Sequence, residues 1–251
     1  MENKLLKNKT AIVTGGTRGI GFEIVKLLGL HGANVIYTGR KKETLIEAQA
    51  ELKKLNINCL GLQVHSKDKE ALQTLVNKTI EHYKTIDIVV NNVATNPVYA
   101  PLLELEDSVI DKVLNVNLKS VIYLCQQALP FLKKSKGTIV NIGSIDGIRP
   151  EINRSLYGIS KAALNALTKA LGKELGPFGI RINTICPGII KTSFSKVLWT
   201  DETIKNQVEK NIPISRFGTP EEIANFVLFL ASNKSSYCTG GIYIADGGYL
   251  L

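Results

Sequence analysis

The chain has 251 residues, of which 44% are hydrophobic and 21% charged. That balance can cover both faces of a sheet and argues against a disordered or fibrous protein. Lys and Arg number 31 against 22 Asp and Glu, a net charge of +9, which favours anionic partners such as phosphorylated cofactors. The lysines are scattered over helical segments, with no Arg-rich arm and no aromatic-studded basic strip, so no nucleic-acid partner is expected.

The N-terminal segment Met1 to Thr10 is polar and lysine-rich. No apolar run approaches the roughly 20 residues needed to cross a bilayer, so no membrane partner is expected. Cys59, Cys125, Cys186 and Cys238 are far apart and lack C-x-x-C spacing, which argues against a metal site or a disulfide framework. Free thiols make the cytoplasm the expected setting.

In chain order, the first β-branched run is Thr10–Thr14. Thr14-Gly-Gly-Thr-Arg-Gly-Ile-Gly21 follows it and opens a helix over Ile20–His31. A glycine pattern between a strand and a helix start is a phosphate-binding arrangement. Gly15 permits the turn, Gly19 lets the backbone approach an anion, Gly21 allows close helix packing, and the helix N-terminus offers free N–H groups. Thr17, Arg18 and Ile20 of the same loop are candidate cofactor contacts.

The second strand, Asn34–Thr38, leads to Tyr37-Thr-Gly-Arg40, where selectivity for a ribose 2′-hydroxyl would place an acid. The residue there is Arg40, with Lys41 behind it and Arg18 in the glycine loop. A planar guanidinium suits a 2′-phosphate, so NADP(H) is the expected cofactor. Further strands are expected at Asn58–Val64, Ile86–Asn91, Gly137–Ile142, Ile180–Cys186 and Gly241–Ala245, alternating with amphipathic helices.

Near-continuous apolar runs such as Ile86-Asp-Ile-Val-Val90 suit strands covered on both faces. The expected fold is a single-domain α/β Rossmann-type doubly wound parallel sheet of about seven strands flanked by helices, spanning residues 1–251. Residues 191–217 break the rhythm, with Phe194, Leu198 and Trp199 in a partly amphipathic stretch, and make a candidate substrate lid. The following helix is expected to start at Thr219-Pro220-Glu221.

Tyr157-Gly-Ile-Ser-Lys161 opens a long helix over Ser155–Pro177, and the i, i+4 spacing places a phenol and an ammonium on one face. A neighbouring cation favours the phenolate and brings a weakly acidic group toward neutral pH. Ser144, at the end of the Gly137–Ile142 strand, can hydrogen-bond a substrate oxygen.

Together, Thr14-Gly-x-x-x-Gly-x-Gly21, Asn91-Asn92, Asn117, Ser144, Tyr157-x-x-x-Lys161 and Pro187-Gly188 resemble the short-chain dehydrogenases/reductases over essentially the whole chain. The resemblance implies that Tyr157 is the general acid/base, that Lys161 lowers its pKa and holds the nicotinamide ribose, and that Ser144 orients the carbonyl. Asn117 would support a water relay from Lys161. Asn91, Pro187 and Gly188 would border the cofactor, and Ile190 with Thr192 would meet the nicotinamide carboxamide. The resemblance also implies a homotetramer built through helices at Asp107–Lys133 and Ser155–Pro177.

Two positions depart from the family pattern. Asn-Asn-Ala-Gly is here Asn91-Asn-Val-Ala94, which adds side-chain bulk near the adenosine. An aspartate expected after the third strand is replaced by His65, which can accept from the adenine amino group through one ring nitrogen.

Within the family, Asn96-Pro97 and Gly188-Ile-Ile-Lys-Thr-Ser-Phe-Ser195 followed by Leu198-Trp199 are similar to NADPH-dependent carbonyl reductases of the dehydrogenase/reductase member 4 type. On that reading, Phe194 and Trp199 form an apolar wall over a small carbonyl substrate. Resemblance to 3-oxoacyl-[acyl-carrier-protein] reductases is the alternative. Those often carry a basic residue where this chain has Phe178, so an acyl carrier protein is the less favoured partner. A catalytically silent scaffold is a third reading, and the complete set of Ser144, Tyr157 and Lys161 argues against it.

Overall fold

Seven short runs rich in Val, Ile and Thr form the strands, and the near-complete burial of the five central ones shows that both faces are covered there. They are β1 (Thr10–Val13), β2 (Asn34–Gly39), β3 (Cys59–Gln63), β4 (Ile88–Asn91), β5 (Thr138–Ile142), β6 (Arg181–Pro187) and β7 (Ile242–Ala245). All pair in parallel in the order β3-β2-β1-β4-β5-β6-β7. This is a computed structural model, and it describes residues 4–251, so the first three residues of the polar N-terminal segment lie outside it.

Helices cover the sheet as crossovers between parallel strands require. They are α1 (Gly19–Leu30), α2 (Lys42–Lys54), α3 (Lys69–Tyr83), α4 (Asp107–Leu114), α5 (Ser120–Ser135), α6 (Ser155–Leu175), α7 (Val197–Thr200), α8 (Glu202–Lys210) and α9 (Pro220–Ala231). Strand alternation divides the core into two layers. Ala11, Val13, Val35 and Tyr37 pack with α1, α2 and α9, whereas Ile12, Ile36, Val89 and Ile139 pack with α3, α5 and α6.

The doubly wound parallel sheet read from the sequence is therefore present, with strand boundaries shifted by no more than two residues. The stretch expected as one helix over Asp107–Lys133 is instead α4, a π-helical turn at Asn115–Lys119, and α5. Such a bulge re-aims the side chains that follow it. Here it turns Asn117 fully inward. The expected start at Thr219 is matched by a capping box, in which Thr219 and Glu222 bond each other's backbone N–H.

A buried polar chain ties three central strands to α6. Asn91 Nδ2 donates to Asn141 Oδ1 at 2.8 Å, Asn141 Nδ2 donates to Thr168 Oγ1 at 2.9 Å, and Thr168 Oγ1 lies 2.7 Å from Thr184 Oγ1. Asn91 and Asn141 face each other in register across β4 and β5. Removing the middle member strands its partners in the core. Asn141→Ala should lower unfolding free energy by about 1–3 kcal/mol for each stranded group, measured by urea denaturation; unchanged stability would show that the chain does not tie the layers.

Candidate active site

Strand order reverses between β1 and β4, and ligands of doubly wound sheets bind at the carboxyl ends of strands beside such a switch point. A cleft of about 900 Å³ opens there. It runs from the glycine loop and the ends of β2 and β3 to Ser144, Tyr157 and Lys161.

At one end, Gly15 and Gly19 have φ of +68° and +56°, a left-handed backbone that other residues adopt only with strain. A Cβ on Gly21 would lie 2.1 Å from the Gly15 carbonyl oxygen, so the helix start can rest on the loop only with glycine there. Arg18, the residue before α1, makes no side-chain cap, and the N–H groups of the first turn remain available for an anion. These features fit a dinucleotide pyrophosphate. Asn92 holds the loop in shape, with Nδ2 donating to the Thr14 and Gly15 carbonyls at 3.0 Å each.

Arg18, Arg40, Lys41 and Lys67 line the same end and are exposed. Among the described residues none of the four is in an ion pair. His65 and Thr17 also border the cleft. Lys67 was not foreseen from the sequence, although it stands only two residues beyond His65 in the same turn after β3. Val93 packs against Gly15, where an added Cβ would meet Val93 Cγ2 at 2.9 Å. Ala94 is not among the residues with positive φ, so the departure from the family's glycine leaves an ordinary backbone.

At the other end, α6 carries Tyr157 and Lys161 inward, exposed by only 6% and 2%. Lys161 Nζ donates to the Ile142 carbonyl at 2.6 Å, and burial lowers its pKa to about 8. Ser144 follows β5, and its Oγ accepts from the Asp146 N–H at 3.1 Å. With that lone pair used, its single O–H points into the cleft towards Tyr157 and can donate to a substrate oxygen placed between them. Pro187, Gly188, Ile190 and Thr192 continue the wall from the end of β6.

The expectation that Lys161 brings the phenol toward neutral pH is not met. Burial raises the Tyr157 pKa, the Asp146 carboxylate raises it further, and Arg154 and a hydrogen bond with Ser144 act in the opposite direction. The Lys161 ammonium lies 5.7 Å from the ring centroid and is committed to the Ile142 carbonyl, so desolvation of the phenol dominates.

The expected cleft positions of Asn91 and Trp199 need correction, and the side chain of Asn117 is engaged elsewhere. Asn91 does not line the cleft, because its side chain turns into the layer below and bonds Asn141. Asn117 does not line it either, and its amide is fully engaged: Oδ1 accepts from Thr95 N–H, and Nδ2 donates to the Thr95 carbonyl and Ser160 Oγ. Its side chain therefore anchors the loop after β4 to α6. Trp199 is also outside the lining; its indole N–H donates to the Thr192 carbonyl at 3.0 Å, tying α7 to the segment after β6. Phe194 and Leu198 do line the cleft, and the Phe194 ring lies 6.0 Å from that of Tyr157.

Asp146 and Arg154 border the cleft and were missed from the sequence. Arg154 stands three residues before Tyr157, a helical spacing that places it on the tyrosine's face. Among the described residues no group of three or more metal-ligating side chains occurs, no helix is long and apolar enough to cross a membrane, and all four cysteines are free.

The constellation is that of an oxidoreductase acting between C=O and CH–OH groups, and comparison with known proteins agrees. A family model described as "Enoyl-(Acyl carrier protein) reductase" matches residues 15–250. The chain belongs to the short-chain dehydrogenase/reductase family. It is 37% identical to dehydrogenase/reductase SDR family member 4 of Homo sapiens, covering 97% of this chain and 88% of that one. It is 41% identical to 3-oxoacyl-[acyl-carrier-protein] reductase FabG of Chlamydia muridarum, covering 98% and 99%. A solved structure of a mutant Serratia marcescens short-chain dehydrogenase/reductase superposes with a TM-score of 0.92 at 33% identity, covering 98% of this chain and all of that one.

The packing at Gly21 gives a test of the phosphate end. Gly21→Ala forces the helix start off the loop and should weaken binding of NADPH by about tenfold or more, read from nicotinamide fluorescence. Undiminished binding would remove the glycine loop from the cofactor site.

Proposed function

We propose that this chain is an NADP(H)-dependent carbonyl reductase, reducing a ketone or aldehyde to an alcohol, with Ser144, Tyr157 and Lys161 at the reacting centre. The observation that carries the reading is their meeting in one cleft that continues to the glycine loop. When bound, the reduced nicotinamide supplies a hydride to the carbonyl carbon. Ser144 donates a hydrogen bond to the carbonyl oxygen, where negative charge develops. Tyr157, kept neutral by burial, gives that oxygen its phenolic proton and takes it back in alcohol oxidation. Lys161, with its pKa of about 8, is still cationic at neutral pH, and in this reading one of its remaining N–H donors holds the nicotinamide ribose.

Preference for the 2′-phosphorylated cofactor is supported by Arg18, Arg40, Lys41 and Lys67 around one end of the cleft and by the absence of an acid after β2. The substrate side is walled by Phe194 and Leu198 beside Tyr157, which suits an apolar or aromatic group next to the carbonyl. The human relative's name, a dehydrogenase/reductase, fits interconversion of a carbonyl and an alcohol. In the same reading the chain is one domain with residues 191–217 as its lid, works as a homotetramer assembled through α4, α5 and α6, and is cytoplasmic.

A second reading, reduction of a 3-oxoacyl group on an acyl carrier protein, is favoured by one feature besides the chlamydial relative. Lys133 Nζ lies 3.7 Å over the Phe178 ring, supplying a cation where this chain lacks the basic residue expected of such enzymes. A panel of an acetoacetyl thioester, an α-dicarbonyl, an aromatic ketone and retinal, each followed by NADPH oxidation, separates the two readings. Activity confined to the thioester would replace the first with the second.

Arg40→Asp should weaken NADPH by about tenfold or more while sparing NADH, and equal losses for both would show that Arg40 does not read the 2′-phosphate. Tyr157→Phe should retain cofactor and lose most turnover. In the wild type, reduction should hold level below a pH of about 8 and fall above it as Lys161 loses its charge. A profile that instead rises through that range would contradict a neutral phenol as the proton donor.

A further inference from the structure

Next to Tyr157 lies a charged pair with no part in the roles above. Asp146 occupies the short 3-10 turn after Ser144, and its side chain is 3% exposed. Arg154 NH2 meets Asp146 Oδ2 at 2.8 Å, and the Arg154 guanidinium lies 5.3 Å from the Tyr157 ring centroid. Arg154 Nε and Asp146 Oδ2 are both buried without a hydrogen-bond partner among the described residues, so the 2.8 Å contact is a charge pairing and not a well-formed hydrogen bond. The Asp146 backbone N–H is the group that donates to Ser144 Oγ, so one turn of chain touches the serine through its backbone and reaches the tyrosine through its ion pair.

A carboxylate this deeply buried is tolerated only with a compensating cation. The pair is also more than a local neutralisation, because its two charges act on the phenol in opposite senses: a nearby anion disfavours phenolate and a nearby cation favours it. The other groups facing Tyr157 are Ser144 from the end of β5, Lys161 from α6, Tyr99 from the loop after β4, and the uncharged Phe194 ring from the lid. Glu151, in the loop before α6, adds negative charge near Asp146. Two cations therefore bear on the buried carboxylate, Arg154 more strongly than Lys161, and Arg154 is the one that also pairs with it directly while favouring phenolate at Tyr157.

We propose that the Asp146–Arg154 ion pair is a charge-balancing device that positions the Tyr157 phenol and sets the pH range over which that phenol exchanges its proton. Both are positioning residues, acting through Tyr157, and the inference rests on Tyr157 being the acid/base. Asp146 works against ionisation and keeps the proton on the phenol for carbonyl reduction. Arg154 limits that effect, so that the proton can still leave in alcohol oxidation.

The test is an ultraviolet difference titration of phenolate with NADP+ present, each variant read against the same variant carrying Tyr157→Phe, which isolates one of the eight tyrosines. At a fixed alkaline pH, Asp146→Asn should raise the phenolate-to-phenol ratio by about tenfold and Arg154→Gln should lower it by about tenfold. Arg154→Lys should stay near the wild type, and the double variant Asp146→Asn/Arg154→Gln should return toward it. If Arg154→Gln fails to fold because it strands the buried carboxylate, Asp146→Asn and the double variant decide the matter alone. Ratios that do not move, or that move the same way in both single variants, overturn the inference. If Tyr157→Phe keeps near-wild-type turnover, the acid/base assignment itself falls; if Tyr157→Phe is inactive and the ratios are unmoved, only the role of the ion pair falls.

Discussion

A lysine ammonium with almost no access to water must be held by the protein, and much of the reacting end follows from how this one is held. Lys161 reaches from α6 to the carbonyl of Ile142, the last residue of β5. That bond fixes one helix against the end of one strand. Since Ser144 lies two residues past the strand and Tyr157 one turn back along the helix, the same contact sets the distance between them. The chain between Ser144 and α6 must then cross the helix closely. A Cβ on Gly147 would lie 2.7 Å from the Lys161 carbonyl carbon and 2.9 Å from the Ala162 nitrogen, so glycine is needed where the turn passes over the lysine.

The cleft works because its two ends solve opposite electrostatic problems. At the phosphate end, an uncapped helix start and exposed cations offer positive charge that water screens and an anion can reach. At the reacting end, charges are few and buried, and each is committed: Lys161 to a carbonyl, Asp146 to Arg154. Desolvation there keeps the phenol protonated and weakens the hold of Lys161 on its own proton. A low-dielectric reacting end also strengthens the hydrogen bond that Ser144 can give to a developing oxyanion.

The fold was legible because its signals are local. Alternating β-branched runs and amphipathic stretches mark all seven strands, and Gly15, Gly19 and Gly21 mark the phosphate end by spacing alone. Ser144, Tyr157 and Lys161 were legible as a set, since a strand end and a single helical turn bring them together. Side-chain direction at Asn91 was not, because whether a strand residue faces the cleft or the layer beneath depends on register with Asn141. Asn117 and the break in the long helix escaped for a related reason: a π-helical turn leaves no mark in hydrophobic periodicity. Trp199 looked like a cleft wall from its size and neighbours, yet its N–H needed the Thr192 carbonyl. The sign of the pKa shift at Tyr157 could not be read at all, since it depends on burial and on a carboxylate eleven residues away in sequence.

The strand order carries a consequence for how the molecule is made. β1, β2 and β3 come from the first 63 residues, and every later strand docks beside the one synthesised just before it, except β4, which takes the free side of β1. The sheet therefore grows first along one edge as far as β3, and from β4 onward along the opposite edge in the direction of translation. A nascent chain owns its complete glycine loop long before Ser144 emerges, and Lys161 has no carbonyl to bond until β5 is in place. The strands that carry the glycine loop and Arg40 are thus synthesised first, and those that carry Ser144 and the wall after β6 are added to the opposite edge afterwards.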